Sequence, residues 1–514
     1  MSERPLYGMP MAVLASNNPY VLGQPNLFGD APTKFTFVSD NPEFTKCWYE
    51  GLRAAVLRST ETHLPKGKTT WILHVVRLGF ASPSADKEKC PIVLQLIVYL
   101  KIDDINEFPD SLASDLVDDL GKLIMMYWDG EEKVYVDVCG RYVFPGSSVG
   151  KVCSASGPAE RCVDQSMNYA RLYHDGNGRL PLPGSSIGID GFVGTLTGYV
   201  KHRLPSGKSE LFALTCRHVG DQKGNIGEGG LAKGQTITVS SPQPGDHMET
   251  KHAIAMRVQR LNQETKDLET KKKPSTTFGS IVNKIVSVIA PSNYVELFWL
   301  GAQRAAEKYK IELGPVYAAS STKTIAPDWL LVSIDPARAI RLKFLNQHFH
   351  STEFDHGSGF KDPSARSCFS TENLIRVDWH WEEIFPTHRT LHQGPLLASD
   401  IVFKQPSRTT QKWVASKVND IESILKPTNE SDRTISQVCL VALDLKSSHR
   451  LAGTKQGDAG AMIFDGGFHP VAMISGSGLK MDANSSITNV NYLSEVYEDI
   501  EEVLGWKRGS VRWC

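Results

Sequence analysis

The spacing of apolar residues divides the chain into stretches of different texture. TTWILHVVRLGF (69–80) and CPIVLQLIVYLKI (90–102) are near-continuous runs of Val, Ile and Leu, the pattern of strands buried on both faces. Between them and KVYVDVCGRYVF (133–144), which alternates like a strand, lies SDLVDDLGKLIMMYW (114–128). There Leu116, Leu120, Leu123 and Ile124 recur at helical spacing and share a face. Strand, helix, strand predicts a small α/β domain over residues 1–160. GSSVGKVCSASGPAERC and DGNGRLPLPGSS look like linker and loop, which places a linker at 161–184.

From residue 185 the runs become short and are broken by Gly and by the turn PSGK, which predicts the start of an all-β domain over 185–245. Residues 246–312 depart from this texture. Ile254, Val258, Leu261 and Leu268 recur among charges, Ile281, Ile285 and Ile289 lie four apart, and YVELFWLGAQRAAEKYK makes a third helical stretch. We read a helical insertion. β texture returns over 313–340, a loop-rich, histidine-rich connector spans 341–397, and a second β unit covers 398–490. The closing segment, 491–514, carries Leu493, Val496, Ile500 and Val503 on one face of a terminal helix.

Composition narrows the function classes. Lys plus Arg number 56 and Asp plus Glu 57, so no net field steers nucleic acid or an anionic membrane to this chain. The nine cysteines are scattered and form no CxxC pair, which suggests neither a disulfide framework nor a zinc ribbon. The first residues lack a continuous apolar signal segment, and no stretch approaches the ~20 apolar residues of a membrane span. A cytoplasmic protein is expected. His348, His350, His356, His380, His388 and His392 match no metal-binding spacing such as HExxH, so neither a metal nor a cofactor is expected.

Three separated motifs carry chemistry. In FALTCRHVG (212–220) an apolar strand ends at His218, and imidazole can take and return a proton near neutral pH. In PDWLLVSID (327–335) Asp328 precedes an apolar strand, suited to orient a histidine and stabilise its charged form. KQGDAGAMIFDGG (455–467) has the frame of a serine nucleophile loop, Gly-Asp-Ser-Gly, with Ala459 in the serine position. The order His, Asp, nucleophile is that of chymotrypsin. His218 and Asp328 lie 110 residues apart. Removing 246–312 brings that gap close to the roughly 45 residues of the chymotrypsin order.

On these motifs the chain resembles a group of large fungal trypsin-like serine protease homologues with an N-terminal α/β domain. PIVLQLIVYL, SSIGI before GTLTGYV, FALTCRHV, PDWLLVSIDPARAI, VFKQPSRTTQKWVASKV and GDAGAMIFD carry the resemblance. It implies a multidomain α+β fold: the α/β domain, then a trypsin-like double β-barrel with a helical insertion and a C-terminal helix. It further implies His218 as base and Asp328 as its orienter. Gly457 and Ala459 would be the oxyanion N–H donors, and Asp458 would support the loop. The substrate pocket would involve Gly453, Ser475 and Gly476. Gly453 stands where trypsin-like enzymes place a specificity residue, and implies no preference for Lys or Arg. The glycines expected around 405–415 are replaced.

An alanine cannot attack a carbonyl, so the protein as written is expected to be inactive as a protease. Two explanations stand. One is natural loss, leaving a pseudoprotease that binds or regulates. The other is an active intracellular serine endopeptidase captured as a Ser-to-Ala mutant. The expected partners are a peptide or protein in the cleft between the barrels and a protein docked on the insertion or the N-terminal domain.

Overall fold

The computed structural model describes residues 12–20, 35–64, 69–79, 88–101, 110–143, 180–181, 183–189, 192–220, 226–227, 230–231, 236–271, 291–320, 327–334, 396–397, 400–405, 407, 414–426, 434–442, 457–466, 469–477 and 487–513. Five strands open the chain: β1 (Ala12–Ser16), β2 (Phe35–Phe37), β3 (Thr70–Gly79), β4 (Ile92–Lys101) and β5 (Val134–Val143). Helices α1 (Pro42–Cys47), α2 (Arg53–His63) and α3 (Asp110–Tyr127) lie among them, with a π-helical turn (Trp48–Leu52) joining α1 to α2. Asn41 caps α1 by accepting the Phe44 N–H, and Pro42 fits the first turn. The expected helical stripe is α3: Leu116, Leu120 and Ile124 are buried against the sheet, and Leu123 packs at its margin.

β3 pairs antiparallel with β4, and β4 pairs parallel with β5 through the α3 crossover. β1 and β2 add antiparallel to β5 and β3. Odd-numbered β3 residues, Trp71, Leu73 and Val75, face the helices. The other face carries a polar row across the sheet. Ser16 pairs Asp137, Asp137 pairs Gln95, Gln95 pairs His74, and the His74 Nδ1 shares a 2.7 Å hydrogen bond with the Ser423 hydroxyl.

The next nine strands are β6 (Ser186–Ile189), β7 (Phe192–Thr195), β8 (Gly198–Arg203), β9 (Ser209–Thr215), β10 (Ile226–Gly227), β11 (Gly230–Leu231), β12 (Thr238–Ser240), β13 (Glu312–Ala319) and β14 (Leu330–Ser333). The last eight are β15 (Ile401–Lys404), β16 (Val414–Val418), β17 (Ser423–Lys426), β18 (Ile435–Ala442), β19 (Met462–Phe464), β20 (Pro470–Ser477), β21 (Ile487–Tyr492) and β22 (Val511–Trp513). Strands β15, β16, β18, β21, β20 and β19 close into a six-stranded antiparallel barrel. The order β22-β8-β9-β14-β13-β12-β6-β7 makes an eight-stranded half-barrel sheet. Closing one sheet and curling the other is consistent with the double barrel implied by the resemblance.

Further helices sit on this frame: α4 (Arg217–Gly220), α5 (Pro244–Lys271), α6 (Pro291–Lys308) and α7 (Leu493–Val503). α5 and α6 lie in the connection between the hydrogen-bonded neighbours β12 and β13. Their own apolar seam joins Ile254 and Val258 to Trp299, Ala302 and Ala306. The middle of the insertion, including Ile281, Ile285 and Ile289, lies outside the described residues, as does nearly all of the connector with its six histidines. α7 buries Leu493, Val496 and Ile500 in the half-barrel core, each worth about 1.5–3 kcal/mol.

Two features differ from the sequence pattern. The tail after α7 includes β22, an edge strand on β8. Gly198 makes room for it, since a Cβ there would meet the Trp513 ring at 1.9 Å. And β17 leaves the C-terminal barrel to pair with β3, so one hydrogen-bonded sheet runs from the N-terminal strands into that barrel. Ile421 and Ile424 are buried in the N-terminal core. No helix among the described residues is long and apolar enough to cross a membrane.

The polar row gives a pH dependence. Burial pushes the His74 imidazole down to about 3. The unfolded imidazole titrates near 6.5. Below that pH the unfolded chain takes up a proton that the folded chain refuses, so this contribution to stability is full above pH 6.5 and falls as pH drops toward 3. At pH 5 the loss is about 2 kcal/mol. Denaturant midpoints at pH 7 and pH 5 should therefore differ less in His74→Gln than in the parent. Equal differences would mean the imidazole charges freely in the folded protein.

Candidate active site

Antiparallel register brings the histidine and the aspartate together. Leu330 pairs Thr215 and Leu331 pairs Leu214. The chain leaving β9 therefore runs beside the chain entering β14, and the first turn of α4 places His218 opposite Asp328. His218 Nδ1 is hydrogen-bonded to Asp328 Oδ2. Asp328 Oδ1 accepts the His218 backbone N–H at 3.2 Å. Burial pushes the Asp328 carboxyl up, but the facing imidazole and the backbone N–H groups of His218 and Arg217 outweigh it and hold the carboxyl below its ordinary range. The Arg217 guanidinium is buried and donates to the Ser320 and Ile226 carbonyls, which pins the turn. Next to Asp328, the Trp329 indole donates to Asp499 of α7 at 2.5 Å. His218 Nε2 is buried and makes no hydrogen bond among the described residues.

The 457–460 loop is tied to the same place. Gly457 and Gly460 take φ of 101° and 90°, the left-handed region that favours glycine. Thr195 N–H donates to the Ala459 carbonyl at 2.8 Å, and the Thr195 hydroxyl to the Gly457 carbonyl at 2.8 Å. The Gly460 N–H donates to the Ile474 carbonyl at 2.8 Å, and the Cys216 thiol donates to that same carbonyl at 3.1 Å. The residue after Ala459 and the residue two before His218 thus share one oxygen. Ala459 itself is fully buried in the half-barrel core. Among the described residues, no hydrogen bond that holds the loop uses the N–H of Gly457 or Ala459.

Ser475 occupies an irregularity of β20, where Ile474 pairs Val490 and Gly476 pairs Asn489. Its hydroxyl donates to the Asn489 carbonyl at 3.2 Å and accepts from the Gln437 amide at 3.1 Å. Ser475 and Gly476 therefore directly follow the carbonyl that anchors the loop. Gly453 lies outside the described residues.

The motifs left three groups at this site unmarked. Cys216 is fully buried, and burial followed by the Asp328 charge pushes its thiol well above its usual range, so it stays protonated. Cys216, His218 and Asp328 are, among the described residues, the group whose ligand atoms lie close enough, within 4.8 Å, to hold a metal ion. The His218–Asp328 bond and the protonated thiol oppose such use. The other two are Lys404 and Ser407, both on the Asp458 carboxylate. Only the chemical oddity of a lysine ending the apolar run IVFK marks this in the sequence.

Among the solved structures the chain is similar to are two crystal structures of the Rv3671c protease from M. tuberculosis. The active form is 10% identical, over 69% of this chain and 96% of that one, with a TM-score of 0.23. The inactive form is 11% identical, over 60% and 89%, with the same TM-score. No protein-family model matches the chain, and no curated protein matches it. Likeness this loose carries no argument for function, which rests on the geometry of this chain's own residues.

That geometry makes Gly460 indispensable to the loop. A Cβ there would lie 2.1 Å from the Thr195 carbonyl oxygen, on a backbone at positive φ. Gly460→Ala should cost at least ~2 kcal/mol in a denaturant midpoint. An unchanged midpoint would mean the loop does not pack on Thr195.

Proposed function

We propose that the protein is a trypsin-like serine protease homologue that cannot turn over as written and acts by binding an extended peptide in the cleft between its barrels. One observation carries this reading. His218 is held through Nδ1 by Asp328, its buried Nε2 has no partner among the described residues, and the loop bearing Ala459 is joined through the Ile474 carbonyl to Cys216, two residues before the histidine. A serine at 459 would supply that partner. His218 would take the Ser Oγ proton at Nε2 as Oγ bonded to the substrate carbonyl carbon, and Asp328 would stabilise the imidazolium. The N–H groups of Gly457 and residue 459 would hold the oxyanion, and His218 would pass the proton to the departing amine. With Ala459 there is no lone pair to attack. Loss of the serine costs about 10⁶ in kcat in a comparable enzyme.

Peptide binding needs backbone groups and not a nucleophile, so strand addition in the cleft survives the loss. Ser475 and Gly476 would border the pocket. Within this reading residues 1–160 act as an appended α/β domain that, with the α5–α6 arm, offers surface to a protein partner. Among the described residues Cys47, Cys90, Cys216 and Cys439 form no disulfide, which supports a reducing compartment such as the cytoplasm. A second reading has a specific observation in its favour. The ordered His218–Asp328 pair fits an active endopeptidase in which Ala459 replaces a serine by substitution.

The test compares the protein as written with Ala459→Ser, using a fluorophosphonate probe and an unbiased peptide library. Labelling and cleavage by Ala459→Ser alone are expected if the base and its orienter are competent. A folded Ala459→Ser that neither labels nor cuts removes the endopeptidase reading. Photo-crosslinking of extended peptides to the protein as written should label the cleft. No crosslink there would sink the binding role.

A further inference from the structure

Lys404 is 1% exposed and Asp458 is fully buried. Lys404 Nζ lies 2.9 Å from Asp458 Oδ2 and 3.0 Å from the Ser407 hydroxyl, which in turn donates to Asp458 Oδ1. A buried charge left without its partner is strongly destabilising. The lysine is placed from rigid structure: Lys404 pairs Val414 of β16 and Ile463 of β19, and the following Gln405 N–H donates to the Met462 carbonyl. The carboxylate it holds belongs to the residue between Gly457 and Ala459. Held at both oxygens, that carboxylate fixes where the Asp458 side chain leaves the backbone and so restrains the peptide planes on either side of it.

We infer that Lys404, assisted by Ser407, is the positioning residue of the 457–460 loop: its ammonium fixes the Asp458 carboxylate and thereby the direction of the Gly457 and Ala459 N–H groups. The loop is then held from the closed barrel by this clamp and from the half-barrel by Thr195. Ser407, which in the sequence looks like erosion of a glycine-rich motif, is one arm of this clamp. The role in aiming N–H groups at an oxyanion rests on the function proposed above, but the clamp itself does not.

Hydrogen exchange of the protein as written tests the clamp directly. Lys404→Met should speed exchange of the Gly460 and Ala461 amides at least about tenfold while β17 and β4 keep their protection. Adding Asp458→Asn, which removes the second charge, should restore much of it. Ser407→Ala, which leaves both charges, should give a smaller, still local increase. Should Lys404→Met fail to fold, Ser407→Ala and the double variant decide. Loop exchange unchanged in the folded variants, or raised equally throughout the molecule, overturns the inference. In the Ala459→Ser background Lys404→Met should lower kcat about tenfold or more with KM little changed, because the aimed N–H groups act on the oxyanion; Ser407→Ala should give a smaller loss, and adding Asp458→Asn to Lys404→Met should recover part of it. An equal loss spread into KM would mark a merely structural role. If Ala459→Ser is inert while loop exchange responds, the protease reading fails and the clamp stands. If Ala459→Ser is active and the Lys404 variants change neither readout, the reverse holds.

Discussion

The pairing of β9 with β14 is the constraint on which the rest of the site depends. A ladder that sets Leu330 against Thr215 leaves no freedom in where the next residues of one strand meet the preceding residues of the other. A slip of one residue would turn Leu214 and Leu330 out of the core and carry His218 away from Asp328. Register is therefore enforced by burial, and the polar pair inherits its precision from apolar side chains. The helical arm can interrupt the chain between these two residues because it lies in the connection between adjacent strands, β12 and β13, and leaves their ladder whole.

A second tie connects the two β units. The loop after residue 457 belongs to the closed barrel, yet Thr195 of the half-barrel holds it at two carbonyls, and Cys216 and Gly460 converge on the Ile474 oxygen. The apolar core repeats this continuity, since Ala459, Met462 and Met473 pack among half-barrel residues. Polar groups buried here are matched in kind. Asp458 meets an ammonium and a hydroxyl, and Arg217 meets carbonyls. Among the described residues His218 Nε2 has no such match, and an unmatched donor or acceptor in a dry setting is costly enough to point at function.

Much of this was legible from local pattern. Helical spacing gave α3 and α7, the alternation broken by Gly gave the short strands, and the motif order brought His218, Asp328 and Ala459 into one frame. What escaped has a common cause: it depends on pairing between distant segments. SILK reads as one more barrel strand, but Ile424 meets Leu73 of a strand some 350 positions earlier. VRW is too short to carry a period. Lys404 looks like an ordinary strand-ending charge until the fold closes over it. Ser407 looks like a lost glycine because composition cannot register a partner 51 residues away.

The continuity of β17 with β3 gives the N-terminal strands a protective task. Without them, β17 would be an edge: a row of free N–H and C=O groups flanked by the apolar faces of Ile421 and Ile424. Such an edge is a template for another chain, and open sheets guard against it by covering it. A fragment beginning near residue 185 would thus keep every residue of the His218–Asp328–Ala459 frame and still expose a surface prone to self-association. By pairing with β17, the N-terminal strands cover an edge that the adjoining barrel would otherwise offer to other chains.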